Sequence, residues 1–246
     1  MEIKDLGKRF SIVDAHAHIG IYPIFNVKLS ADEIIKSLNK YNIKRAIIFT
    51  SNNESVEKAV KAHKELYGMV WANPKDSKTI KFLEKHLNDP KFVGVKLHPL
   101  LDGYLPTPEV LNEVMCLVKD AGWRVLAHCG HPPFTLPWSY EPLAEKFNNV
   151  PIVLGHMGHG HIVYINGSLE VASRRKNIYL EPSGMPMHTK ILEAVKMLGA
   201  ERVLWGSDVP FHHYAVELTK VMVADLSEKE LELVLGRNAL QLFALE

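Results

Sequence analysis

Two histidines one residue apart, His16 and His18, close an apolar run, Ile12-Val13-Asp14-Ala15, that reads as a β-strand. Side chains two apart on a strand share a face, so both imidazoles emerge together at its C-terminal end, as ligands of one metal ion would. The pair alone is weak evidence, because histidines also sit in cores and on surfaces. Other polar residues follow apolar runs in the same way: Lys96 and His98, His128, His156, Glu181 and Asp208. A divalent cation favours imidazole and carboxylate donors, and His16, His18, His128 and Asp208 offer three nitrogens and one oxygen, with a position left for water. Water bound there would ionise near neutral pH. His156, in Leu154-Gly155-His156-Met157-Gly158, is either a further ligand or an acid/base group beside the metal.

The elements that must position these residues alternate. Strands are expected at 12–19, 45–50, 68–72, 92–97, 124–127, 152–154, 178–180 and 202–204, with helical stretches such as 54–67, 78–87 and 108–121 between them. Ser30 with Glu33, and Ser227 with Glu230, are capping-box patterns that open helices, the second carrying Leu231, Val234, Leu235, Leu242 and Phe243. Gly20 to Leu29 reads as a loop. Eight strands spaced by the length of a βα unit, with no linker or composition break, predict an α/β fold. It is a (β/α)8 TIM barrel forming a single domain over 1–246, with an extra C-terminal helix. Barrel enzymes carry their chemistry at the C-terminal strand ends, which is where the polar residues fall. A doubly wound sheet would need a glycine-rich phosphate turn after the first strand, and there is none.

Composition narrows the function classes. With 47% hydrophobic and 23% charged residues, the 246-residue chain can bury a large core. A net charge of +1 gives no reason to expect nucleic acid as a partner. Two cysteines, Cys116 and Cys129, cannot build a disulfide framework and suit a reducing cytoplasm. The stretch from Met1 to Phe10 is charged, and no apolar run reaches membrane-spanning length, so neither secretion nor membrane insertion is expected.

Taken together, Val13-Asp14-Ala15-His16-Ala17-His18, Gly94-Val95-Lys96-Leu97-His98-Pro99, Ala127-His128, Gly155-His156-Met157-Gly158, Tyr179-Leu180-Glu181-Pro182-Ser183-Gly184, Gly206-Ser207-Asp208-Val209-Pro210 and Asn238-Ala239-Leu240-Gln241-Leu242-Phe243 resemble the amidohydrolase superfamily. The resemblance is strongest to its amidohydrolase 2 branch of metal-dependent TIM-barrel hydrolases and decarboxylases, and it covers nearly the whole chain. It implies a metal on His16, His18, His128 and Asp208, with His156 beside it. In two-metal members of the superfamily a strand-four lysine is carboxylated and bridges the ions. Lys96 is therefore a bridging ligand, a cation for a substrate carboxylate, or a structural partner of a barrel carboxylate. Lysine there also counts against a TatD-like nuclease, which usually carries glutamate. Glu181 stands where many relatives carry aspartate, and is read as a solvated or structural carboxylate rather than a ligand. One ion per chain is expected, zinc first, with manganese, cobalt or iron also accommodated, and two if Lys96 is carboxylated.

The loop His131–Tyr140 is proline-stiffened and aromatic, and Tyr104 and Phe211 lie in other loops at the same end. Lys96, His98, Tyr104 and Trp138 are the expected substrate contacts. His159, His161, His212 and His213 are assigned to the substrate's surroundings or the surface. The first reading is a hydrolase whose metal-activated water attacks a carbonyl-type carbon of a small amide, lactone or ester, with His156 and Asp208 moving protons. The alternative is a non-oxidative decarboxylase of an unsaturated or aromatic acid; a non-catalytic metal-binding barrel ranks third. The partner is a small molecule, and a homodimer is left open.

Overall fold

The structure is a computed structural model that describes residues 3–246; Met1 and Glu2, the start of the charged N-terminal stretch, lie outside the described residues. Seven parallel strands follow one another around the sheet: β1 (Ile12–His18), β4 (Ile43–Phe49), β5 (Leu66–Trp71), β6 (Phe92–Leu97), β7 (Arg124–His128), β8 (Ile152–Gly155) and β9 (Ile178–Glu181). The expected eighth strand is irregular. Residues 203–209 make one bridge to β9, Leu180 to Val203, and one to β1, Ala17 to Val209. Backbone bonds from Leu204 N to Leu180 O, and from His18 N to Val209 O, close the barrel through this segment. A regular ladder cannot pass through Asp208, whose φ of 52° bends the chain at the mouth.

Gly20 to Leu29, expected as a loop, contains a short antiparallel hairpin, β2 (Gly20–Tyr22) with β3 (Val27–Leu29). Around the sheet lie α1 (Leu6–Arg9), α2 (Ala31–Tyr41), α3 (Asn53–Ala62), α4 (Ser77–His86), α5 (Pro99–Asp102) and α6 (Asn112–Asp120). They are followed by α7 (Glu141–Lys146), α8 (Ile162–Arg174), α9 (His188–Leu198) and α10 (Tyr214–Met222). The capping boxes at Ser30 and Ser227 are both formed. The helix after Ser227 is broken into α11 (Glu228–Glu232), a π-helical turn over 233–237 and α12 (Asn238–Leu242).

Alternation along the strands divides the core in two. Ile48, Val70, Val95, Val125, Ile152 and Leu180 face the helices, whereas Ile47, Met69, Leu126, Val153 and Leu204 fill the barrel. Ala239 and Phe243 of the C-terminal segment join the inner cluster. That segment therefore packs with the barrel's inner residues rather than merely covering its outside. β1 departs from simple alternation: Asp14 pairs with Ala46 and Ala17 with Ile48, so three steps of β1 oppose two of β4. Such a bulge re-aims side chains. It lets Val13 pack with the inner cluster while His16 and His18 also reach the inner mouth.

Candidate active site

His16 is completely buried, and two neighbours dictate its protonation. Its Nδ1 lies 2.6 Å from Glu181 Oε2, a carboxylate that can only accept, which leaves Nε2 unprotonated. Nε2 in turn lies 3.2 Å from Lys96 Nζ and 3.3 Å from Asp208 Oδ1. Glu181 is itself fully buried and receives Ser183 N at 2.6 Å and Ser183 Oγ at 2.8 Å. It is not solvated; it orients a histidine, as carboxylates behind metal-binding imidazoles do.

His18 Nε2 approaches the same Asp208 oxygen at 3.1 Å. Tyr22 Oη donates to the Ile19 carbonyl at 2.9 Å and lies 3.4 Å from His18 Nδ1. His156 donates from Nδ1 to the Ser183 carbonyl at 3.0 Å. Donor atoms of His16, His156 and Asp208 lie within 4.8 Å of one another. Burial holds His16, His18, His128 and His156 well below the usual imidazole pKa, so all four are neutral lone-pair donors. Burial also pushes the Asp208 carboxyl up to about 7, although Lys96 opposes the shift.

Asp208 Oδ1 supplies the test of fit for a metal. It is buried and has no hydrogen-bond partner among the described residues, although two imidazole nitrogens face it closely. An acceptor surrounded by other lone pairs suits a cation, and a divalent ion would satisfy all three donors at once. His156 and Asp208 also have φ values of 68° and 52°, a region uncommon for such residues and concentrated at functional sites.

The other expected residues fall in different places. His128 is at the mouth, but its Nε2 lies 2.8 Å from His131 Nδ1 and its ring stacks on His98 with centroids 4.0 Å apart. His98 is stacked in turn on Trp71. Trp71, His98, His128 and His131 thus form a run of nearly parallel rings, with interplanar angles of 14–16°. Lys96 is fully buried at the cluster's floor, its Nζ 4.7 Å from the Phe49 ring, and burial lowers its pKa to about 8. Tyr104 and Trp138 do not line the cavity. Tyr104 is packed into the outer core, and Trp138 lies against Gly167 with its indole donating to Glu170. Large apolar rings at those loop positions find neighbouring elements to cover them.

The cavity over the cluster has a volume of about 510 Å³. Besides His18, His98, His128, His156 and Asp208 it is lined by Tyr22, Phe25, Phe211, Trp71 and Leu101 among others. Trp71 was missed from sequence although it ends its strand, the position that singled out the histidines. Asp14 was quoted only as part of a motif. Its carboxylate accepts from Ser207 N at 2.9 Å and His16 N at 3.1 Å, tying β1 to the segment that carries Asp208.

The fold and this cluster of histidines and a carboxylate at the C-terminal strand ends define a metal-dependent barrel of the amidohydrolase superfamily. The chain belongs to the amidohydrolase family, whose profile matches residues 13–245. No curated protein shows a significant sequence match. Among solved structures, the chain is similar to 5-carboxyvanillate decarboxylase from Novosphingobium aromaticivorans, complexed with manganese and 4-hydroxy-3-methoxy-5-nitrobenzoic acid. The TM-score is 0.77 at 14% identity, over 96% of each chain. It is also similar to 2,6-dihydroxybenzoate decarboxylase from Rhizobium, with a TM-score of 0.73 at 14% identity over 96% of this chain and 99% of that one. A zinc-bound amidohydrolase from Burkholderia multivorans has a TM-score of 0.74 at 11% identity, over 96% of this chain and 100% of the other.

Proposed function

We propose that the protein is a metal-dependent, non-oxidative decarboxylase of a small aromatic or unsaturated carboxylic acid. The observation that carries this reading is the lining of the cavity: Trp71, Tyr22, Phe25 and Phe211 stand with the histidines and Asp208 around its volume of about 510 Å³, an aromatic surface against which a ring can lie beside the cluster. Two decarboxylases of aromatic acids share the fold. Hydrolysis, the first reading of the sequence, uses the same cluster but does not itself call for so aromatic a lining.

His16, His18 and Asp208 would hold the metal, with His128 completing the set and His156 beside it. Bound there, a divalent cation supplies positive charge that orients a carboxylate and stabilises negative charge developing next to it. The reaction breaks the bond between the ring carbon and the carboxyl carbon, releases carbon dioxide, and places a proton on the ring carbon. That proton comes from solvent, and His156, with Nδ1 committed to the Ser183 carbonyl, would take it up at Nε2 and pass it on. The aromatic side chains lining the cavity would pack against the substrate's ring.

The test is carbon dioxide release by manganese- or zinc-loaded protein from a panel of hydroxybenzoates and short unsaturated acids, beside an ester, lactone and amide panel. Release that falls at least 100-fold in His156→Gln is expected. Turnover confined to the ester, lactone or amide panel would establish the hydrolase instead.

A further inference from the structure

Behind His156 lies a buried ion pair that does not line the cavity. Lys220 and Glu217, both on α10, are 9% and 2% exposed, and their side chains are bonded to each other. Lys220 Nζ also donates to the Pro182 carbonyl at 2.7 Å, and Glu217 Oε1 accepts from Gly184 N at 3.3 Å. The pair therefore holds the chain on both sides of Ser183. The Ser183 carbonyl is the nearer partner of His156 Nδ1, and the Ser183 hydroxyl, which donates to Glu181, lies 3.3 Å from the same nitrogen. A carbonyl only accepts, so this contact places the imidazole hydrogen on Nδ1 and leaves Nε2 as the nitrogen with a free lone pair. Packing fixes the same turn from outside: Gly184 has a φ of +69°, and a Cβ there would come within 2.7 Å of His212 Nε2. A buried ion pair is a poor source of net stability compared with apolar residues of the same volume, which points to a role in geometry.

We propose that the Lys220–Glu217 pair is a positioning device for His156. By anchoring Pro182 and Gly184 it sets the direction of the Ser183 carbonyl, and through that bond the tautomer and ring orientation of His156. The inference rests on His156 belonging to the reacting cluster and holds for either bond-breaking reaction, so its test needs no substrate.

Removing one charge would strand the other, so the main variant is Lys220→Met/Glu217→Met, in which both charges go and apolar volume remains. Long-range nitrogen–proton correlation spectra of the histidines, assigned with His156→Gln, report which ring nitrogen carries the hydrogen. The native protein is expected to show His156 as a single Nδ1–H tautomer, and the double variant a mixture. Glu217→Gln, which keeps the shape and an acceptor for Gly184, should show a partial shift of the same signal. An unchanged single Nδ1–H tautomer in the double variant overturns the proposal. If that variant does not fold, the Glu217→Gln spectrum decides by the same criterion.

Discussion

At the scale of single residues, the site depends on groups that touch no ligand. Glu181 makes His16 a one-sided donor, and Glu181→Gln keeps the acceptor's shape but removes its charge. Manganese binding by that variant is expected to weaken by about 10- to 100-fold with the fold intact, as calorimetry and circular dichroism together would show. Elemental analysis should find about one divalent ion per chain in the native protein and in Lys96→Ala, and none in His16→Ala; a native count near two that drops in Lys96→Ala would mean a bridged pair of ions. Gly206 is a further constraint. A Cβ there would lie 2.6 Å from His16 Cβ and 2.9 Å from Glu181 Oε1, so Gly206→Ala should cost about 1–3 kcal/mol in urea unfolding and displace His16. The polar residues at strand ends were legible in the sequence because alternation and barrel geometry are local rules. The unreadable part was which ring nitrogen each histidine offers, since that depends on Glu181, Ser183 and Tyr22 arriving from other elements.

At the scale of elements, helix positions came through well wherever a cap was written into the chain, as at Ser30 and Ser227. The hairpin β2–β3 did not, because its strands are three residues each and its apolar residues point both ways. Tyr22 and Phe25 line the cavity, yet Phe25 is exposed together with Ile21 and Ile24. Glu57 on α3 shows how the outer helices are joined. It pairs with Lys61 on its own helix and with Lys85 on α4, and these hydrogen bonds lower its carboxyl to about 2. A carboxyl depressed by folding contributes stability above its unfolded pKa and loses it as pH falls towards the folded value. The melting temperature of Glu57→Gln should thus lie slightly below the native one at pH 7, by about 2 °C at most for so solvated a pair. The gap is expected to close between about pH 5 and pH 2, and one that widened on acidification would contradict the assignment.

At the scale of the whole molecule, the barrel is closed by its least regular member and pinned by its last residues. Asn238 donates to the carbonyls of Ala200 and Val203 at 2.7 and 2.8 Å, fixing the start of the segment that ends in Asp208. Phe243, 4% exposed, packs with the inner cluster. Phe243→Ala is expected to cost about 3–5 kcal/mol in urea unfolding, with no separate loss of a surface helix beforehand. The eightfold rhythm was readable because seven βα units repeat it. The eighth was misread as a strand because bonding there is set by its two neighbours, not by its own apolar pattern. This closure also orders events during synthesis. Synthesis runs from His16 towards the closing segment, so the histidine pair exists well before its carboxylate partner, Asp208. A nascent chain consequently has no assembled cluster with which to capture a stray cation, and metal selection is deferred until the barrel can impose its own geometry.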